Sequence, residues 1–391
     1  MLGRAYISKN VMHIIRSPSL VRVTLTATLM ALISCSHAVR DQDAGKGRWT
    51  ERPASRVAFR LADHAVDRLI FIKNKARVVV TGNKGAMIAE YDLTSKTRRW
   101  QKTSEGQIRA NSIIAGDGFL IWLSANGTLH KIDEGTGSIL WARQALRQDE
   151  AGVDVMGNPL LMADTVVLPL GSAKAVAAFD LTSGRDLASV GFAEMVFSSP
   201  VAVDGAAVVG DMGSTIRSLR IPGLQVRWEQ NLGEIGFTPQ VVGDRVFVSA
   251  DDNLYCLDGR TGKILWKNRV GMVGAIRAFG SRVVVGNHGV LFSYDLVHGT
   301  YQGRTSLQSP GGVDRDPALD DRNVLGMVDQ DGVLIVATVD GWVWGFDRDI
   351  KYLWSAHLGG GLVDGPVCVD EGILCARDDG AIVMLTPEGR K

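Results

Sequence analysis

The sequence predicts an all-β fold, an eight-bladed β-propeller of four-stranded antiparallel blades, and three observations carry that prediction. Glycine makes up 45 of 391 residues, about 12% against a usual level near 7%, with no collagen period, so the chain turns often and its strands are short. Two segments nearly repeat one another: 131–141 reads Lys-Ile-Asp-Glu-Gly-Thr-Gly-Ser-Ile-Leu-Trp and 256–266 reads Cys-Leu-Asp-Gly-Arg-Thr-Gly-Lys-Ile-Leu-Trp. Their shared template is Asp, Thr at +3, Gly at +4 and Trp at +8, and weaker copies begin at Asp92, Asp180, Arg220, Asp295, Asp347 and Thr386. The eight slots stand 37 to 52 residues apart, near the period of a propeller blade. Tryptophan is rare, nine in all, yet Trp100, Trp141, Trp228, Trp266 and Trp354 stand at or within one residue of +8.

From the N-terminus, residues 1–34 carry Arg4, Lys9, Arg16 and Arg22 and no acid, then an uncharged run, 23–33, that stops at Ser34-Cys35. Eleven apolar and hydroxyl residues are too few to cross a bilayer, which takes about 20, and fit the apolar region of a secretion signal. Leu32-Ile33-Ser34-Cys35 resembles a bacterial lipobox, which implies an acylated Cys35 as the new N-terminus; an ordinary signal peptide with a Cys nearby is the alternative. Met12 is a second candidate start. Anchoring needs more than one chain, each methylene contributing about 0.8 kcal/mol, so a multiply acylated Cys35 would hold the body at a membrane. Ser36 after the Cys implies outer-membrane sorting. Residues 35–47 read as a flexible tether, and 48–391 as the propeller.

Within each repeat the strand plan is the same. The runs 200–209, 239–248 and 366–375 each start at Pro and hold two apolar stretches around a turn, as at Asp204-Gly205, a strong hairpin signal. Pro heading a first strand removes no needed donor. A third strand ends at the Asp slot, Asp-x-x-Thr-Gly turns, and the fourth strand bears the Trp. The eighth repeat stops at Thr386, before its Trp strand. Arg48-Trp49-Thr50 at the head of the mature chain resembles the missing fourth strand, and its addition would close the ring and remove exposed edges.

Without residues 1–34 the chain holds 39 basic and 42 acidic residues, a net charge of −3. Such a body has no global attraction for phosphate, which argues against a nucleic-acid partner. The acid pairs Asp251-Asp252, Asp320-Asp321 and Asp378-Asp379 fall in expected turns, where Asp is favoured. The seven His show no zinc spacing, and no nucleophile elbow or phosphate loop appears. If Glu371-Gly372 forms a two-residue loop, Cys368 faces Cys375 across a hairpin; a disulfide and two buried thiols are both open. Cys256 reads as packed and inert.

The Asp-x-x-Thr-Gly-x-x-x-Trp repeat resembles the pyrroloquinoline-quinone (PQQ) propeller repeat over residues 48–391. Residues 199–211 and 237–267, in a lipoprotein without an appended domain, resemble the BamB family. That resemblance implies a non-enzymatic, outer-membrane, periplasm-facing scaffold lipoprotein, monomeric within a complex, that binds BamA and aids insertion of outer-membrane proteins. The family contacts BamA through loops of central blades, one with a Leu-x-Leu-Arg element. Here the loop reads Phe192-Ala-Glu-Met-Val-Phe197, without the Arg, and the next, 232–237, lacks the family's acidic pair. Phe192, Met195 and Phe197 are the candidate contacts. The alternatives are a propeller lipoprotein, surface-exposed or periplasmic, that binds another protein or ligand, and a PQQ enzyme. The enzyme reading lacks adjacent cysteines and a convergent set of calcium ligands, so no cofactor is expected.

Overall fold

The computed structural model describes residues 49–60, 66–72, 77–82, 87–103, 113–124, 126–146, 157–171, 173–235, 238–271, 275–307 and 323–387, and every regular element among them is a strand. They form eight four-stranded antiparallel sheets. Seven follow chain order, each strand pairing with the next: blade 1 over 66–103, blade 2 over 114–144, blade 3 over 160–191, blade 4 over 201–231, blade 5 over 240–269, blade 6 over 275–306 and blade 7 over 324–357. Blade 8 breaks the order. Its strands Leu362–Val369, Gly372–Arg377 and Ala381–Thr386 receive Ala54–Arg60 as the fourth. The first strand of each blade lies innermost: Val66–Ile72 touches Ile114–Ala115 on one side and Leu362–Val369 on the other, which closes the ring.

Local chemistry explains the strands. The second strand of each sheet is covered on both faces, so Thr165–Pro169, Ala206–Gly210 and Val333–Thr338 are buried at every position and read as apolar runs rather than alternating ones. Outer strands have one wet face, and Ile264–Arg269 alternates accordingly around buried Trp266. Asp204 and Gly205, with φ of 47° and 73°, turn between paired Val203 and Ala206, the conformation that a two-residue hairpin requires.

The core lies between sheets. Its eight apolar clusters each draw on two successive blades, one cluster per junction round the ring. The repeat builds these junctions. In blade 5 the Asp258 Oδ1 accepts from the Thr261 amide and hydroxyl, both at 2.7 Å; Asp92, Asp133, Asp180 and Asp295 tie their turns the same way. The turn's Gly then meets the Trp of the preceding blade. A Cβ on Gly262 would stand 2.6 Å from Trp228, and one on Gly184, 2.8 Å from Trp141. Three of the indoles also donate to the carbonyl one residue past the Asp: Trp100 to Glu134 at 2.7 Å, Trp141 to Leu181 at 3.2 Å and Trp228 to Gly259 at 2.9 Å.

Two sequence expectations need correction. The closing strand is Ala54–Arg60, not Arg48-Trp49-Thr50; Trp49 lies in a turn before it. Trp49 is only 4% exposed, in the cluster between blades 7 and 8, and its carbonyl accepts from Trp354 Nε1 at 2.6 Å. The segment thus supplies the carbonyl that an Asp-x-x-Thr-Gly turn supplies elsewhere. The second correction concerns the last hairpin, whose turn falls at Asp370–Glu371: Val369 pairs with Gly372 and Cys368 with Ile373. Cys375 lies opposite a bulge at Gly365 and Pro366 instead of opposite Cys368. The two stand as separate buried thiols, and burial pushes the Cys375 thiol well above its usual range.

Candidate functional site: the loops joining blades 3, 4 and 5

The loop from blade 3 to blade 4 follows the strand Asp186–Gly191 and reaches Val201–Val203. Backbone bonds clamp it to both blades. Phe192 N donates to Lys174 O at 2.6 Å, Val196 N to Gly171 O at 3.1 Å, and Met212 N to Met195 O at 2.9 Å. Ser198 Oγ bonds both the N and O of Gly210 at 2.8 Å. Ser199 links three blades, its Oγ accepting from Asn158 N at 2.8 Å and its N donating to Thr238 Oγ1 at 3.0 Å. Side chains held by so many main-chain bonds keep their positions without a partner, which lowers the ordering cost of docking.

The structure separates the three candidate contacts. Phe192 is a core residue: its ring is buried among Leu160, Val176 and Leu219, with the Arg217 guanidinium 4.5 Å above it. It is not an available contact, because Arg217 covers it while bonding Glu229 at 2.6 Å and Gly191 O at 2.7 Å. Met195 and Phe197 are half-buried and stay accessible. Beside them the fold brings Met212, from the turn between the second and third strands of blade 4. Nothing in the linear pattern singled out Met212, since its proximity to Met195 exists only through blade 3–blade 4 packing.

Acids stand on the same loop and on its neighbour. Glu194 is exposed and pairs with Lys174 at 3.0 Å. On the next loop Glu234 N donates to Asp251 Oδ1 at 2.9 Å, and Ile235 bridges to Ala250 and packs on Gly210. Exposed Glu234, Asp251 and Asp252 restore an acidic rim from residues other than those that the resemblance calls for. Phe237 lies outside the described residues, as do Cys35 and its flanking segment.

No group of three His, Cys, Asp or Glu side chains among the described residues could hold a metal ion. His288 and His298 fall in turns of blade 6, and Gly359-Gly360-Gly361 leads into the strand Leu362–Val369. An open groove of about 440 Å³ lies elsewhere, between blades 2 and 3, lined by Arg143, Gln144, Ser183, Gly184, Arg185 and Asp186.

With this ring and its loops in view, comparison with known families is decisive. The family model described as outer membrane protein assembly factor BamB matches residues 11–143 and 172–338. The chain belongs to the BamB family. The BamB of Yersinia pestis is 22% identical over 363 residues, which is 88% of this chain and 78% of that protein. The crystal structure of BamB from Moraxella catarrhalis superposes with a TM-score of 0.68 at 16% identity, over 87% of this chain and 98% of that one. A quinohemoprotein alcohol dehydrogenase from Pseudomonas putida shares the fold, with a TM-score of 0.65 at 12% identity over 86% of this chain and 76% of that one. The propeller therefore does not by itself separate BamB proteins from enzymes.

Proposed function

We propose that this chain is a non-enzymatic scaffold of outer-membrane protein assembly, anchored at the outer membrane through Cys35, that faces the periplasm and docks on BamA through the loops joining blades 3, 4 and 5. One observation carries it: the BamB family match covers most of the chain. The loop cluster supports the choice of face, since half-buried Met195, Phe197 and Met212 stand on loops braced by backbone bonds, with exposed Glu194, Glu234 and Asp251 on the same and the adjoining loops. Apolar centre with charged rim is the usual anatomy of a docking surface.

Photo-crosslinking residues placed at Met195 and Met212 in cells should each yield an adduct with BamA, and one at Val226 on the outer rim should not. The paired reversal Glu194→Lys, Glu234→Lys should reduce BamA recovery about tenfold, the loss of two close charge pairs. Adducts with BamA from Val226 but from neither methionine would overturn the choice of face. For the anchor, Cys35→Ser should abolish incorporation of labelled palmitate; incorporation into that variant would overturn it.

A further inference from the structure

Seven of the eight blade junctions pack apolar or small groups at the two repeat positions that meet there. Trp–Gly pairs fill four of them: Trp100–Gly137, Trp141–Gly184, Trp228–Gly262 and Trp266–Gly299. Two reverse the sizes, with Ala188 before Leu224 and Gly303 before Ile350. In the seventh, Trp354 meets Trp49. The eighth junction, from blade 8 to blade 1, departs. Register places Arg56 opposite Met384, the position that Trp holds in other outer strands, and Lys96, with φ of 58°, holds the Gly position. Both side chains are exposed. Two cations at a packing position add nothing to the core and repel one another.

The cations extend beyond that pair. Outer strands of the eight blades carry ten Lys or Arg against two acids, and five of the ten lie on Ala54–Arg60 and Thr97–Thr103. Arg52, Arg56, Lys96 and Lys102 take part in no salt bridge among the described residues. By contrast Arg60 and Arg99 are committed, to Asp379 at 3.0 Å and Glu90 at 2.8 Å. The chain also enters the fold here: Trp49 docks beside blade 8 and leads directly into Ala54–Arg60. Trp49 stands fourteen positions after Cys35, a reach of at most about 50 Å.

We propose that the outer rim where blade 8 meets blade 1 lies on an anionic phospholipid surface, with Arg56 and Lys96 at its centre. The inference deepens the anchored-scaffold reading and rests on it for the tether. An acyl anchor at Cys35 brings this rim, rather than the far side of the ring, within reach of headgroups, and clustered cations beside an anchor strengthen hold on anionic lipid.

The test uses the full chain with Cys35→Ser, which cannot be acylated, and flotation with two kinds of vesicle: mixed phosphatidylglycerol and phosphatidylethanolamine, and phosphatidylcholine alone. The protein should float with the anionic vesicles and not with phosphatidylcholine. Arg56→Glu with Lys96→Glu should lower that binding by roughly tenfold or more, Arg56→Gln with Lys96→Gln by less, and the charge-matched Lys263→Glu with Arg304→Glu on blades 5 and 6 should leave it unchanged. An equal loss from the control pair, no preference for anionic vesicles, or unchanged binding by the Arg56 and Lys96 variants overturns the proposal. So does a protein partner lost from the Arg56 and Lys96 variants while vesicle binding persists, which would assign the rim to an acidic protein face. Thermal unfolding of each variant separates loss of fold from loss of binding. Palmitate labelling of the unmodified chain separates failure of the anchor from failure of the rim.

Discussion

At the scale of single residues, the aspartate that ends a third strand sets the turn. Backbone bonding from Ser95 holds the Asp92 carboxyl below its ordinary range, and hydrogen bonds from Ser183, Thr261 and His298 do the same for Asp180, Asp258 and Asp295. An unfolded aspartate titrates near 3.9, so the stabilisation from these groups is complete above that value and is lost as pH falls through the lowered folded values. Thermal unfolding followed from pH 7 to pH 3 should show little change from these carboxyls above about pH 5 and a fall beginning near pH 4. Asp258→Asn should flatten that fall. The glycine next in the turn is fixed by two constraints at once, for Gly262 has φ of 73° and Trp228 stands against its Cα. Gly262→Ala should cost about 2–4 kcal/mol in a denaturant titration, combining left-handed strain with overpacking. A loss below about 0.5 kcal/mol, the range of ordinary surface changes, would show that Trp228 moves aside freely.

At the scale of elements, a blade edge is a pair of complementary volumes. Where the outer strand carries Trp100, Trp141, Trp228 or Trp266 the next turn carries Gly, and where it carries Ala188 or Gly303 the next turn carries buried Leu224 or Ile350. In these six junctions a large group on one side meets a small one on the other, although neither position keeps its residue. Ala188→Trp alone should destabilise by about 1–3 kcal/mol through overpacking, and Leu224→Gly alone by about 2–5 kcal/mol through a cavity. The double variant should recover much of the sum, a coupling of about 1–3 kcal/mol in a double-mutant cycle. Strict additivity would mean that the two positions do not share one space. The loops proposed to dock follow the same logic, because the half-buried Met195 and Phe197 keep their places only while Gly171, Lys174 and Gly210 hold their backbone.

For the whole molecule, closure joins distant parts of the chain. Ala54–Arg60 pairs with Ala381–Thr386, and Trp49 fills the core between blades 7 and 8. Trp49→Ala should cost about 3–5 kcal/mol, the usual penalty for removing a buried Trp. Removal of residues 49–60 should do more than destabilise: it bares the Ala381–Thr386 edge, so sedimentation should show concentration-dependent association, as unpaired edges invite. A deletion variant that stays monomeric with an unchanged midpoint would contradict the closed ring.

Blade number, blade order, strand plan and the origin of the closing strand were legible in the sequence, because each rests on local chemistry that recurs, with departures, round the ring: an Asp turn, a residue at positive φ, a Trp, a two-residue hairpin. The last hairpin shows where such reading stops. A turn moved by one residue, from Glu371–Gly372 to Asp370–Glu371, changes every cross-strand partner, and the bulge at Gly365 and Pro366 that accommodates it lies against Leu374 and Cys375 of the adjoining strand. Trp49 was legible as a residue of the closing segment but not as a core side chain ahead of the strand. Phe192 looked like a contact until Arg217, from another strand, covered it, and Met212 joined Met195 only across two blades. Periodic local interactions are written along the chain and can be read there, whereas which side chain ends up covered depends on residues far away in sequence that only the assembled ring brings together.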